Sequence, residues 1–174
     1  MNIDHKLAHI KSMLKKIRNY DVETFFDELD KWIYEISYFY NVIVKDGQNP
    51  SDIPYKIKPS KRPDEGQIAY FNLRRGYPKE TFDDHWCYIL KDFGNKYVVI
   101  PTTSVKPDSC ACNDKYEMDI KIKDFTNNSM SRLQITDIRT VDTMRVCQSI
   151  EPNFYDVETD KNTIINKVKS VIFI

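Results

Sequence analysis

The sequence predicts an α+β protein in which a helical hairpin precedes a compact antiparallel β-barrel of five to seven strands closed by a C-terminal helix. Three observations predict it. Apolar residues recur at helical spacing near the N-terminus, four prolines interrupt the next stretch, and short alternating strands separated by turns follow. We therefore expect the hairpin at residues 1–46, a proline-rich linker at 47–65 and the barrel domain at 66–174.

Length, composition and charge narrow the possible functions. A chain of 174 residues fits one domain with an extension, and 41% apolar residues are enough for a packed core. Lysine and arginine number 26, as do aspartate and glutamate, so nucleic-acid binding would need a local basic patch. Because no apolar run approaches about 18 residues, we expect no membrane span and a cytoplasmic protein.

The first two elements are predicted to be amphipathic helices. Residues 3–18 carry one narrow apolar seam, formed by Ile3, Leu7, Ile10, Leu14 and Ile17. Asp21 is placed to cap a second helix over 22–44, whose apolar face is too broad for one partner helix. We expect that face to pack on the barrel or on a second subunit as well. The basic first helix could touch RNA, but a solvated face opposite the seam is the default explanation of its lysines.

No cofactor or metal site is predicted. His5 and His9 lie one helical turn apart, but no third ligand follows at a useful spacing. Cys110 and Cys112 form a C-x-C pair without a second cluster, as reduced cytosolic thiols would. Four glycines in the whole chain exclude a glycine-rich phosphate loop.

From Gly66 onward, alternation and turn residues predict a series of short strands. Between 135 and 141 either a short strand or a 3₁₀ turn fits the pattern, and a helix is expected over 160–168, with its apolar stripe buried. The predicted strands are 67–73, 85–91, 96–101, 116–122, 131–135 and 143–150.

His85 is the sharpest candidate for chemistry. It stands at a strand start after a charged loop, and an imidazole can give or take a proton at neutral pH. Arg74, Arg75 and Lys79 precede it and could contact phosphates. Trp86 belongs to a set of aromatic residues interleaved with these cations, a pattern that single-stranded RNA binding uses. A surface histidine, a solvated turn and core aromatics are the plainer interpretations.

A hydroxyl cluster follows the third predicted strand. Thr102, Thr103 and Ser104 could hydrogen-bond a phosphate, or they could simply form a turn. The sequence contains no nucleophile elbow, no H-E-x-x-H motif and no acidic metal cluster. From the residues alone, the stretch 66–104 is a strand pair around a charged loop with one histidine.

Three stretches resemble the PemK/MazF family of toxin ribonucleases over residues ~64–174. GQIAYFNLRRGYPKE is similar to the family's opening strand and its loop, which carries a glycine and then a glutamate. HWCYILKDFGNKYVVIPTTS is similar to its strand pair that ends in a Thr-Ser motif. SRLQITDIRTVDTMRV, the most specific of the three, resembles the segment with the pattern Leu-x₄-Ile-Arg-Thr-Val-Asp-x₂-Arg. The N-terminal hairpin lies outside the resemblance.

The resemblance implies an SH3-like barrel that dimerises and cleaves single-stranded RNA without metal, through attack of the ribose 2′-hydroxyl on phosphate. It also implies an antitoxin protein as a partner. The catalytic threonine of the family maps to Thr103, with Ser104 beside it, and the loop glutamate maps to Glu80. A catalytic Arg-Pro pair is replaced here by His85-Trp86. His85 would take over proton transfer, while Arg74, Arg75 or Lys79 would supply the missing positive charge.

Two other functions stay open at this point. The barrel could have lost activity with the arginine and could bind RNA or a partner protein through the same groove. A gyrase poison like the related CcdB toxins is the second. Those toxins end in Trp-Gly-Ile, whereas this chain ends Val171-Ile172-Phe173-Ile174.

Overall fold

A computed structural model describes residues 2–125 and 130–173. The chain divides into two compact units, one ending at Lys45 and the other beginning at Asp46. Within the described residues no helix combines the length and the apolar character that crossing a membrane requires.

The first unit consists of two helices, α1 (Ile3–Leu14) and α2 (Val22–Tyr38), and α2 runs on as one π-helical turn over Phe39–Ile43. Asp21 caps α2 as predicted, because its carboxylate accepts a hydrogen bond from the backbone N–H of Thr24 at 3.0 Å. Neither helix contains a buried residue. The hairpin therefore lacks a core of its own.

The proline-rich segment belongs to the second unit. Its prolines begin two 3₁₀ turns, Pro50–Asp52 and Pro59–Lys61. Between those turns, Ile57 is buried in the core and the backbone carbonyl of Tyr55 accepts a hydrogen bond from Thr143 Oγ1 at 3.2 Å. The segment is packed against the sheet along part of its length.

The second unit is built on one seven-stranded antiparallel sheet, which confirms the predicted α+β class. The strand order is β4-β5-β3-β2-β1-β7, and β6 pairs with β3 beside this path. The strands are β1 (Gln67–Asn72), β2 (Asp84–Asp92), β3 (Lys96–Ser104), β4 (Glu117–Lys121), β5 (Met130–Gln134), β6 (Arg139–Asp142) and β7 (Phe154–Asp156).

The long strand β3 is shared by two partners. Its first half pairs with β6 and its last three residues pair with β5. Alternate residues of β1, β2 and β3 divide between two core clusters, as strand geometry requires. The first cluster includes Phe71, Cys87, Ile89, Tyr97 and Val99; the second includes Ile68, Tyr88, Ile100, Leu133 and Ile164.

The prediction of a closed barrel is wrong, because the sheet is open. Strands β4 and β7 are the two ends of the strand order. They approach at the C-terminal ends of both strands, where Ile122 and Val157 form an isolated bridge. Beside that bridge the Lys123 N–H donates to the Asp156 carbonyl at 2.9 Å and the Glu158 N–H donates to the Lys121 carbonyl at 2.8 Å. One bridge leaves most of each edge strand unpaired on that side, which a closed barrel would not allow.

The C-terminal helix was predicted correctly. It is α3 (Lys161–Ile172), and Asp160 caps it by accepting from the backbone N–H of Thr163 at 2.8 Å. Its buried residues Ile164 and Val168 belong to the second core cluster. The helix covers that face of the sheet.

Two predicted strand assignments differ from the structure. The stretch 143–150 was expected as a strand, but it opens with a 3₁₀ turn, Thr143–Arg145, because the Asp142 carboxylate accepts from the backbone N–H of Met144 at 2.8 Å. A strand over Phe154–Asp156 was not predicted. In addition, β3 extends through Ser104, so the hydroxyl cluster lies within the strand rather than after it.

Candidate functional site

His85 and Thr103 lie on the neighbouring strands β2 and β3, near the end of the pairing between these strands. The β2–β3 ladder pairs Tyr88 with Ile100 and Cys87 with Pro101. One step farther, Thr102 Oγ1 donates to the Trp86 carbonyl at 3.0 Å, so the same register holds there. His85 and Thr103 lie one residue beyond that contact, and strand alternation assigns both side chains to the face of the first core cluster.

His85 is half-buried near the start of β2 and pairs with Phe71 of β1. Its Nδ1 is buried, and no group in the described part of the chain hydrogen-bonds to it. A buried nitrogen without a partner is uncommon, since leaving such a group unsatisfied costs about 1–3 kcal/mol. The ring therefore keeps unused hydrogen-bonding capacity.

Thr103 is exposed, and its hydroxyl is oriented by a neighbour. Gln134 Nε2 donates to Thr103 Oγ1 at 3.3 Å, across the β3–β5 ladder. Because the hydroxyl oxygen accepts in this contact, its own hydrogen can be donated to an anionic oxygen of a ligand. Thr102 differs, because it is buried and bonded to the strand.

The charged loop before β2 has a well-defined base. The Leu73 N–H donates to the Asp83 carbonyl at 2.8 Å, and the Asp83 N–H donates to the Arg74 carbonyl at 3.0 Å. Arg74 and Asp83 both adopt left-handed backbone conformations, with φ of 67° and 60°. Such angles are uncommon for residues other than glycine. They bring the two ends of the loop together directly before His85.

The predicted cations occupy different positions on this loop. Arg75 forms an ion pair with Asp83 at 2.8 Å and lies over the Phe82 ring, 4.9 Å from its centre. Arg75 is therefore part of the loop's own packing. Arg74 is half-buried at the loop base, and Lys79 is exposed at the tip.

The side chain of Glu80 hydrogen-bonds within its own loop. Its carboxylate accepts a hydrogen bond from the Tyr77 N–H at 3.2 Å, while its backbone N–H donates to the Tyr77 carbonyl at 2.9 Å. The same carboxylate occupies the space that a side chain at Gly76 would need. Glu80 is thus already engaged in shaping the loop tip.

The fold places Arg139, which was not among the predicted site residues, on the His85 face. It lies at the start of β6 opposite Val99, whose side chain belongs to the first core cluster with Cys87. Burial raises the pKa of the Cys87 thiol above its ordinary range, and the positive charge of Arg139 opposes that shift. The position of Arg139 on this face follows from the pairing of β3 with β6, and no local sequence pattern predicts that pairing.

Trp86 and Ser104 lie on the opposite face. Trp86 packs against the second core cluster and its ring centre is 5.1 Å from that of Tyr70, 5.0 Å from Phe125 and 5.4 Å from Tyr155. Ser104 follows Thr103 and is exposed beside Ser131 of β5. Of the eight predicted site residues, strand alternation thus assigns His85 and Thr103 to one face of the sheet and Trp86 and Ser104 to the other.

Among the described residues there is no group of three or more histidine, cysteine, aspartate or glutamate side chains arranged to hold a metal ion. The four cysteines are free thiols, of which Cys87 is buried.

No protein-family model matches this chain, and no curated protein matches it either.

Proposed function

We propose that the second unit is an endoribonuclease of the toxin–antitoxin type that cleaves single-stranded RNA without a metal ion. The observation that carries the proposal is that His85, with a buried and unpartnered Nδ1, and Thr103, with a hydroxyl that accepts from Gln134, belong to the same face of the sheet. The resemblance of three segments to PemK/MazF toxins supports the same reaction. We further propose that the open sheet is a variant of their SH3-like barrel, in which the Ile122–Val157 bridge marks where the edges approach.

In the proposed reaction His85 accepts the proton of a ribose 2′-hydroxyl. The 2′-oxygen forms a bond to phosphorus and the bond from phosphorus to the 5′-oxygen breaks, leaving a 2′,3′-cyclic phosphate and a 5′-hydroxyl. The departing 5′-oxygen takes up a proton from solvent. No oxidant, reductant or second substrate is needed. A base within reach of the attacking hydroxyl contributes about 10²–10⁴-fold to such a step.

In the proposed reaction, arginines of the charged loop and of β6 supply the positive charge that contacts the phosphate. Arg74 stands at the loop base, where its carbonyl accepts from the Asp83 N–H, and Arg139 stands at the start of β6 on the His85 face. Thr103 donates its hydroxyl hydrogen to a phosphate oxygen, since Gln134 already supplies a donor to its oxygen. Guanidinium groups and a fixed hydroxyl stabilise charge that grows on phosphate in the transition state.

The experiment is cleavage of single-stranded RNA in the presence of a chelator. His85→Ala is expected to slow cleavage by about 100-fold or more, and Thr103→Ala by about 10- to 100-fold. His9→Ala and Thr140→Ala are matched controls, because both residues are exposed and lie outside the site. RNA with a single 2′-deoxyribose at the cleavage point should resist cleavage there.

Each other outcome has a defined meaning. Cleavage at the wild-type rate by both His85→Ala and Thr103→Ala contradicts the site. Intact RNA-binding with no cleavage of any tested RNA by the wild-type protein contradicts the enzyme and supports a binding module. Products with a 3′-hydroxyl and 5′-phosphate contradict the 2′-hydroxyl mechanism, because that mechanism leaves the phosphate on the 3′ side.

A further inference from the structure

The N-terminal unit exposes an unusual amount of apolar surface. None of the residues in α1 or α2 is buried. Leu7 is 58% exposed on α1, while Trp32 and Ile33 are 47% and 56% exposed on α2. A two-helix unit without a core gains little from hydrophobic burial, and large exposed apolar patches mark contact surfaces.

The two helices line an open apolar groove of about 650 Å³. Residues of the α1 seam, such as Ile10 and Leu14, form one wall, and Phe26 and Leu29 of α2 form the other. The apolar face of α2 continues beyond this groove to Trp32 and Ile33. One narrow helix therefore covers only part of that face, which leaves room for further helices.

Charge is divided between the helices with opposite sign. Residues 3–18 contain five lysines and arginines against one aspartate, a net charge of +4 with histidine neutral. Residues 21–38 contain six acidic residues against one lysine, a net charge of −5. The cap residue Asp21 and the α2 acids Glu28 and Glu35 recur every seven residues along one edge of the apolar face, which is the spacing of interhelical charge pairs in helical bundles.

We propose that two copies of this chain associate through their hairpins as a four-helix bundle in which the basic α1 of each copy lies beside the acidic α2 of the other. A surface that carries both signs on separate helices is complementary to itself under two-fold symmetry, because each helix then meets its opposite. The partner is thus a second copy, whose α1 and α2 supply both the missing apolar contacts and the matching charges. This contact is independent of the proposed ribonuclease activity.

The first test is the molar mass of the full chain in solution, by light scattering at about 10–100 µM, where contacts of micromolar affinity are occupied. We expect twice the chain mass of 20.6 kDa. Ile33→Glu should raise the dimer dissociation constant by at least about tenfold. The matched control is Tyr34→Glu, since Tyr34 is 73% exposed but points away from the apolar face, and it should remain dimeric.

The second test exchanges the charges. One variant carries Lys6→Glu and Lys11→Glu, two positions that flank the α1 seam, and the other carries Glu28→Lys and Glu35→Lys. Each alone should dimerise more weakly than the wild type, because the first pair of changes brings the net charge of residues 3–18 from +4 to 0 and the second brings that of residues 21–38 from −5 to −1. The attraction between α1 and α2 is then largely lost. An equimolar mixture should recover a heterodimer. Pairing confined within one chain would not respond to mixing.

Three results would overturn the proposal. These are a monomeric wild-type protein at the highest concentration, a dimer that Ile33→Glu leaves intact, and a charge-exchanged mixture that stays monomeric. The mixture keeps the test decisive if Ile33→Glu unfolds the hairpin, which circular dichroism would reveal. RNA cleavage is assayed on the same samples, so that a failure of the dimer proposal can be distinguished from a failure of the proposed ribonuclease activity.

Discussion

Thr81 and Asp137 tie the charged loop to the turn that leads into β6. The backbone N–H of Thr81 donates to Asp137 Oδ2 at 2.8 Å, and the Thr81 hydroxyl donates to the same oxygen. Arg139 Nε in turn donates to the Asp137 carbonyl at 3.2 Å. The carboxylate of Asp137 thus holds the loop that precedes His85, and its backbone carbonyl holds the side chain of Arg139.

The first prediction concerns this link. Asp137→Ala removes the acceptor for both Thr81 donors, and hydrogen bonds to a charged group contribute about 1.5–3 kcal/mol each at most. We expect the free energy of unfolding to fall by about 1–3 kcal/mol and RNA cleavage to fall by about tenfold, because the loop base loosens. Urea unfolding and the cleavage assay measure the two effects. Asp108→Ala, an exposed aspartate in another loop, should change neither.

The second prediction is a pH dependence of stability. Hydrogen bonds from Lys161 and then from Lys91 lower the pKa of Glu65 to about 2, against the opposing effect of burial. A carboxyl whose pKa is lowered by folding stabilises the protein fully above its unfolded value of about 4.5, and the contribution is lost as the pH falls towards 2. Both lysines are about half exposed, so solvent screening reduces the contribution to about 1 kcal/mol.

Glu65→Gln should therefore be less stable than the wild type by about 1 kcal/mol at pH 7, and the difference should shrink below pH 4.5. Urea unfolding between pH 7 and 3 measures it. The double variant with Lys161→Met should lose less than the sum of the single losses, since the two residues share one contact. A difference that stays constant down to pH 3 would contradict this origin.

The third prediction concerns Gly94 in the turn between β2 and β3. Its φ is +86° and its N–H donates to Asp92 Oδ1 at 2.7 Å. A side chain there would meet no atom within 4 Å, so only the backbone conformation opposes substitution. Gly94→Ala should lower the free energy of unfolding by about 1–2 kcal/mol, and Gly94→Asn by less, because asparagine tolerates left-handed angles. Equal losses in urea unfolding would contradict a backbone origin.

The elements that the sequence predicted well are those with a strong local signal. Helical periodicity located α1, α2 and α3, and strict alternation located β4, where Ile120 is buried as expected. The stretch 143–150 misled because its apolar alternation resembles a strand, while a single carboxylate, Asp142, stabilises a turn instead. Whether the sheet closes into a barrel depends on how closely its edge strands β4 and β7 approach each other. Local sequence patterns do not specify that distance.

Some residues of the candidate site could likewise be predicted from local sequence, and others could not. His85 is a candidate from its residue type, and Thr103 from the resemblance and its position at the end of a strand. That Trp86 points away from both follows only once the strand and its faces are fixed. Arg139 joins the site through pairing with β3 across 40 residues of chain, and such a contact leaves no mark on its neighbours in sequence.

The last prediction separates stability from function at Arg74. Its φ of +67° is a conformation that costs a residue with a side chain about 1–2 kcal/mol. Strain of this kind is typically retained at functional sites, and the proposed phosphate contact needs a cation on the loop before His85. Arg74→Gly should raise the free energy of unfolding by about 1 kcal/mol while weakening RNA binding. Loss of one phosphate contact should lower the slope of log affinity against log salt by about 0.7.

Arg75→Gly is the matched control. Arg75 has no left-handed backbone to relieve and loses its ion pair with Asp83, so this variant should be less stable than the wild type. Urea unfolding and RNA binding by fluorescence anisotropy at several salt concentrations measure both variants. If Arg74→Gly is stabilised and its salt slope is unchanged, the strain has no connection with phosphate binding, and the positive charge at the site must come from Arg139.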